Sequence, residues 1–356
     1  MTNHLIIMAG GVGSRFWPMS TPEKPKQFID VLGVGRSLLQ LTVDRFGDLF
    51  TPDRIWIVTS AAYRSVVMEQ LPGVPEENIL LEPCMRNTAP CIGYVAWKIK
   101  QRHPDASLVV SPADHFILNA HAFRAVIQTG LDFVKGTGRV LTLGMSPTRP
   151  DTGYGYIHSG VPVADSPVLA VQAFKEKPVL EVAQRYLAEG GYYWNAGIFL
   201  WEVATVEKAI RRFEPEMAAI LDEMGRNFYT PQEQEGVNRL FPTCKSISID
   251  YAVMERLSGQ DGSDADVLYV LPGDFGWSDL GTWGSLYARL EKDDEGNAVV
   301  GDGVTMIESR GCVVRAPHGK KMVLQGMDDY IVAEDQGTLL ICKKDQEQRI
   351  KEFSSR

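Results

Sequence analysis

Four small residues in five positions, Ala9, Gly10, Gly11 and Gly13, follow the apolar run Leu5-Ile6-Ile7-Met8. The run reads as a buried strand of a parallel sheet. The small residues let the backbone turn sharply and approach a ligand with no Cβ in the way. Arg15 then offers a fixed fork of donors to phosphate oxygens, and Lys26, in Pro25-Lys26-Gln27-Phe28, adds a compact positive charge. Together these residues read as a phosphate loop. A dinucleotide fingerprint is excluded because Phe16 stands where its third glycine belongs, and a Walker A loop because no Gly-Lys-Ser/Thr occurs.

Other chemistry-bearing residues follow apolar runs. Glu82 comes just after Asn78-Ile79-Leu80-Leu81. Guanine presents two adjacent donors that one carboxylate can accept as a pair, so Glu82 is either a base reader or an ordinary strand-end acid. Asp114, past Leu108-Val109-Val110 and held by Pro112, suits magnesium, which takes one or two carboxylates and leaves its other positions to water and phosphate oxygens. His115 beside it reads as structural, because magnesium favours oxygen ligands. Asp274 and Asp279, flanked by glycines and tryptophans in the stretch from Gly273 to Trp283, are candidates for a second metal carboxylate.

Three further groups leave alternatives open. Glu176 and Lys177 could meet vicinal hydroxyls and a phosphate, or form a solvated charge pair. Asn195, an amide among the aromatics from Tyr192 to Trp201, must find partners, and sugar hydroxyls would serve. Phe199 and Trp201 beside it read as core. Asp250 is placed to cap a helix or to act in a site.

Positioning these residues requires a regular scaffold. Helical patterns over 37–46 (capped by Ser37), 61–70, 88–101 and 122–135 alternate with strands over 54–59, 78–81, 108–110 and 140–143. That alternation predicts a doubly wound α/β domain with a mixed, mainly parallel sheet, its ligands at the carboxyl ends of the strands. Further along come an extended segment after 151, a strand over 169–174, a helix near 179–189, helical pattern over 202–241, a strand meeting a helix over 246–255, and a strand over 267–271. Beyond about 287 short extended pieces separated by Gly and Asp turns predict a small all-β domain, with a helical tail from Lys343 to Arg356. The domains are therefore read as 1–286 and 287–356. No strict hexapeptide repeat is visible.

Composition sets the outer limits. At 356 residues, 44% hydrophobic and 23% charged, the chain can bury a sizeable core. A net charge of -9 argues against binding nucleic acid or anionic membrane, so a polyanionic substrate must be met by a few placed cations. The five cysteines are odd in number and include no Cys-x-x-Cys pair, which argues against a disulfide framework and a zinc site. No run is long enough to span a membrane, and Met1 to His4 lead directly into a strand, so a cytoplasmic protein is expected.

GGVGSRFWPMS followed by PKQF closely resembles the N-terminal signature of the sugar-nucleotide pyrophosphorylases, and its tryptophan-proline form is similar to the mannose-1-phosphate guanylyltransferase branch. The resemblance implies a Rossmann-like fold with a short left-handed β-helix that contributes to a homodimer. It also implies a magnesium-dependent reaction of GTP with mannose 1-phosphate to give GDP-mannose and pyrophosphate. It assigns Ala9, Gly10, Gly11, Gly13, Glu82, Asn87 and Thr88 to the nucleotide. Gly155, Glu176, Lys177, Asn195 and Asp250 go to the sugar phosphate, Arg15, Lys26 and Asp114 to catalysis, and Asp114 and Asp279 to the metal. Asp279 is preferred to Asp274 for its Trp-x-Asp-x-Gly context. An isomerase domain follows in some similar bacterial proteins, and this chain is read as too short for one. Another sugar 1-phosphate, such as glucose or a heptose, and a non-catalytic nucleotide-sugar-binding relative are the alternatives.

Overall fold

The computed structural model describes residues 2–258 and 267–354. The chain divides into two compact units, the first made of Met1–Gly10, Arg45–Pro112 and Ile117–Trp277, the second of Gly11–Asp44, Ala113–Phe116 and Ser278–Arg356.

The first unit is built on a nine-stranded sheet among the described residues. In chain order its strands are β1 (Asn3–Met8), β2 (Ile55–Ser60), β3 (Ile79–Glu82), β4 (Ser107–Pro112), β5 (Val140–Met145), β6 (Tyr156–Pro162), β7 (Leu169–Lys175), β8 (Tyr192–Glu202) and β9 (Leu268–Gly273). Their order across the sheet is β3-β2-β1-β4-β8-β5-β9-β7-β6. β1 to β4 are mutually parallel, as are β5 and β9, while β8 runs antiparallel to both β4 and β5. The parallel strands read as unbroken apolar runs because helices cover both faces. Helix Thr88–Arg102 is buried along most of its length, and Phe199 and Trp201 are 1% and 0% exposed in the core it shares. Helices 38–46, 88–102 and 120–134 and the parallel strands fall where the alternation predicts them.

The stretch 246–255 differs from expectation. Residues 246–248 form no strand, and Asp250 opens a π-helical turn, Asp250–Met254, whose N-cap is Ile249 with no side-chain cap bond. The Asp250 carboxylate instead accepts from the Asn195 side chain. Asp250 lies inside the turn, one residue past the cap position held by Ile249, and its side chain bonds across to β8 instead.

In the second unit the strands β10 (Ala298–Val300), β11 (Val304–Ile307), β12 (Val313–Arg315), β13 (Met322–Gln325), β14 (Tyr330–Asp335) and β15 (Thr338–Lys343) form a β-helix. β10, β12 and β14 stack in parallel on one face, and β11 pairs with β13 in parallel on another. Val304 pairs with Met322 and Val313 with Ile331, the same step along the chain on both faces. β15 folds back antiparallel on β14 and closes the stack. Its core, Ala298, Val313, Ile331 and Ala333, is continuous with Phe16, Leu38, Leu280 and Trp283. Sequence reading missed β11 because Val304-Thr305-Met306-Ile307 carries no clean alternation in a half-exposed position.

All five cysteines are free. Among the described residues no helix is long and apolar enough to cross a membrane. Of the expected helical tail, Lys343 ends β15, Lys344–Arg349 is a 3-10 helix and Ile350–Phe353 a short α-helix, and the last two residues lie outside the described residues.

Candidate active site

Lys26 is set by local stitching in the second unit. It begins a 3-10 turn, Lys26–Phe28, behind Pro25, whose fixed backbone suits the N-cap position. The Lys26 amide donates to the Val12 carbonyl at 3.1 Å, Gln27 Nε2 donates to the Gly11 carbonyl at 3.1 Å, and the Ser20 hydroxyl also donates to Val12. Gly13 has φ 72°, and a Cβ there would stand 2.5 Å from the Cβ of Lys26. Left-handed backbone and close approach both demand glycine at that position.

The Lys26 side chain is 3% exposed, and its ammonium donates to Asp114 Oδ2 at 3.0 Å and to the Asp279 main-chain carbonyl at 2.9 Å. It also stands 5.4 Å from the centre of the Phe16 ring. Burial pushes the Asp114 carboxyl up, but the Lys26 charge, His115 and the hydrogen bond outweigh it and hold the group below its ordinary value. Asp114 is therefore an ionised carboxylate at neutral pH. Asp279 contributes its carbonyl to Lys26, and its Oδ1 accepts from the Gly281 amide at 3.0 Å. Asp274 is exposed and belongs to the first unit. Arg15 sits in the turn Ser14–Phe16, with its Nε buried and without a hydrogen-bond partner.

In the first unit the carboxyl ends of the parallel strands share one edge of the sheet. Ala9 and Gly10 leave β1 there, and Glu82 ends β3. The Ala9 amide donates to the Val58 carbonyl at 2.8 Å and its carbonyl accepts from the Thr59 hydroxyl at 2.9 Å, which ties the start of the loop to β2. Glu82 is 7% exposed and its Oε1 has no hydrogen-bond partner. Burial raises its carboxyl to about 7, with a hydrogen bond to the Cys91 thiol pulling the other way. Asn87 and Thr88 carry structural duties: Asn87, at φ 69°, caps helix 88–102 by accepting from the Thr88 amide at 2.8 Å, and the Thr88 hydroxyl accepts from the Ile249 amide at 2.8 Å.

The same edge gathers the residues assigned to the sugar. Because β8 is antiparallel, its first residues lie beside the carboxyl end of β5, with Asn195 opposite Gly144. A register shift and the positive φ of Gly197 bend β8 just there. Asn195 Nδ2 donates to Asp250 Oδ1 at 2.9 Å, while its Oδ1 accepts from the Gly197 amide at 3.0 Å and the Thr142 hydroxyl at 3.2 Å. The Asn195 amide also donates to the Gly155 carbonyl at 2.8 Å. A Cβ on Gly155 would stand 2.5 Å from Glu176 Oε2, and Glu176 Oε1 pairs with Lys177 Nζ at 2.8 Å. Burial, reinforced by the nearby Glu176 carboxylate, raises Asp250 to about 7. Gly155, Glu176, Lys177, Asn195 and Asp250 are thus brought together. Sequence reasoning missed Thr142, which looks like any mid-strand threonine, and Glu255, which accepts from the Glu176 amide at 3.0 Å.

Among the described residues no group of three or more His, Cys, Asp and Glu is arranged to hold a metal. The protein-side donors on offer are hard carboxylate oxygens, one of them ionised and 37% exposed at Asp114. That donor set fits magnesium, which keeps water and substrate oxygens in most of its positions.

The second unit carries a cationic glycine loop with Arg15 and Lys26, and the first unit gathers polar groups at the carboxyl edge of its mixed sheet, each suited to a nucleotide-handling transferase. The chain belongs to the nucleotidyl transferase family, whose model matches residues 4–296, and residues 302–356 match the MannoseP isomerase/GMP-like beta-helix domain. It is 37% identical to the xanthan biosynthesis protein XanB of Xanthomonas campestris pv. campestris, over 98% of this chain and 72% of that protein. It is 36% identical to the mannose-1-phosphate guanylyltransferase ManC of Salmonella typhimurium, over 97% of this chain and 71% of that one. Among solved structures, a mannose-1-phosphate geranyltransferase from Thermus thermophilus superposes with a TM-score of 0.88 at 30% identity, covering 100% of this chain and 99% of that one.

Proposed function

We propose that the protein joins GTP and mannose 1-phosphate to give GDP-mannose and pyrophosphate. The observation that carries this reading is the buried Lys26 ammonium bonded to both Asp114 and Asp279 beside the glycine loop. The guanylyltransferase relatives supply the substrates. A phosphate oxygen of mannose 1-phosphate attacks the α-phosphorus of GTP. The bond from that phosphorus to the bridging oxygen breaks, and pyrophosphate leaves with the electron pair. The attacking monoester has a second pKa near 6 and is largely dianionic at neutral pH, so no general base is needed. Positioning and charge neutralisation carry the catalysis.

In this reading Arg15 and the Gly10, Gly11 and Gly13 amides hold the triphosphate, and Lys26 and Lys177 offset charge around the phosphates. Asp114 and Asp279 would hold magnesium, which when bound neutralises phosphate charge. Asn195, Asp250 and Glu176 meet the sugar hydroxyls, with Gly155 leaving room for them. The orphaned Oε1 of Glu82 calls for a donor, and guanine supplies a pair. Asn87 and Thr88 shape the backbone near that base. We also assign the protein to the cytoplasm as a homodimer, with the transferase domain over 1–286 and the small β domain over 287–356.

The test is pyrophosphate release over GTP, ATP and UTP crossed with mannose, glucose and heptose 1-phosphates. GTP with mannose 1-phosphate should give the highest kcat/KM. A better sugar would reassign the acceptor, and no release from any pair would leave a non-catalytic binder.

A further inference from the structure

The C-terminal tail reaches back into the unit that holds Lys26. Glu347, in the 3-10 helix Lys344–Arg349, accepts through Oε2 from the Gly284 amide at 2.7 Å. Gly284 is the second residue of the short helix Trp283–Tyr287, which starts from the loop Asp279-Leu280-Gly281-Thr282 and is closed by a capping box of Thr282 and Ser285. Lys344 Nζ stands 3.9 Å from the centre of the Tyr287 ring on the same helix and 2.8 Å from Asp329 Oδ1. Ile350 is 0% exposed in the cluster that contains Phe16, Leu280 and Trp283. Phe16 and Trp283 are 5.4 Å apart between ring centres. Every one of these residues belongs to the second unit.

The braced loop is one that needs support. Leu280 has φ 44°, in the left-handed region that a leucine enters only when its surroundings hold it there. The residue before it, Asp279, presents the carbonyl that receives Lys26. An amide in the first turn of a helix has no partner within the helix, and a carboxylate is the strongest acceptor a side chain can bring to it. The fit is close: a Cβ on Gly284 would lie 3.2 Å from Glu347 Oε2.

We propose that Glu347 is a positioning residue for the transfer reaction. By holding Gly284 it fixes the Asp279 carbonyl on Lys26, so turnover depends on the C-terminal tail. The inference rests on Lys26 acting at the reacting phosphates.

The test compares Glu347→Ala and Glu347→Gln in the full chain by hydrogen exchange over residues 279–287 and by steady-state kinetics. In the alanine variant these amides should exchange about tenfold faster and kcat should fall about tenfold, with KM for each substrate changed little. Glutamine keeps an acceptor and should restore most of both. Unchanged exchange in the alanine variant overturns the brace whatever the activity, and faster exchange with unchanged kcat overturns the catalytic part. Wild-type protein without turnover on any nucleotide refutes the proposed function, while the exchange result still decides the brace. Should the alanine variant fail to fold, Glu347→Asp, whose carboxylate is withdrawn by one methylene, is read in the same way.

Discussion

Lys26 Nζ and Asp114 Oδ2 lie 3.0 Å apart, with the lysine side chain 3% exposed and the aspartate 37% exposed. The pair is asymmetric. Water can reach the carboxylate if the lysine is lost, whereas the ammonium, if the aspartate is lost, keeps the Asp279 carbonyl and the Phe16 ring but no opposite charge among the described residues. Buried charge left unpaired is the costlier outcome.

Lys26→Met should retain the apolar stem and lose the charge. We expect kcat/KM to fall by about 3 kcal/mol of transition-state stabilisation, with a smaller loss of about 1–2 kcal/mol in folding stability. Kinetics and thermal melts on one preparation check both. A variant that melts early while its folded fraction works at full rate would make the lysine structural.

Asp114→Asn strands the buried ammonium, so its melting temperature should fall further than that of Lys26→Met. Turnover should also be lost, and a magnesium titration should show weakened dependence on the metal in whatever activity remains. Half-saturation at the wild-type magnesium concentration would remove Asp114 from the metal.

Gly155→Ala places a methyl group 2.5 Å from Glu176 Oε2 and 3.3 Å from the Asn195 Cβ. The acceptor side should suffer: KM for mannose 1-phosphate rises about tenfold or more while KM for GTP holds. An equal rise in both would show that the damage spreads beyond the sugar groups.

Glu82→Gln tests base choice and a pH effect together. Adenine lacks the donor pair, so the GTP-to-ATP ratio of catalytic efficiencies should drop several-fold, chiefly through poorer use of GTP. Glu82 is raised from 4.5 to about 7 in the folded protein. Between those values the folded state holds a proton that the unfolded state has released, so stability falls as pH rises through that window and levels off above it. The fall is on the order of 3 kcal/mol. Chemical denaturation at pH 5 and pH 8 should show a smaller drop for the variant than for the wild type, and equal drops would place the titration elsewhere, Asp250 being the next candidate.

The sequence by itself determined the local chemistry and the layered scaffold. Leu5-Ile6-Ile7-Met8 read as a buried strand, the glycines after it as a tight turn, and the alternation of apolar runs with amphipathic segments of helical length pointed to the doubly wound class. These are properties of neighbours in the chain, where spacing and residue type suffice. What the tertiary structure alone decided concerns partners far apart in the chain. Lys26 meets Asp114 and the main-chain carbonyl of Asp279, an atom that residue type does not reveal. Asp250, which looked like a cap, turns to Asn195 because a bend in β8 brings the amide within 2.9 Å. The β-helix was expected from the family resemblance but not from periodicity, because its strands are stabilised by stacking on one another, Val313 on Ala298 and Ile331 on Val313, and no single strand carries a pattern of its own.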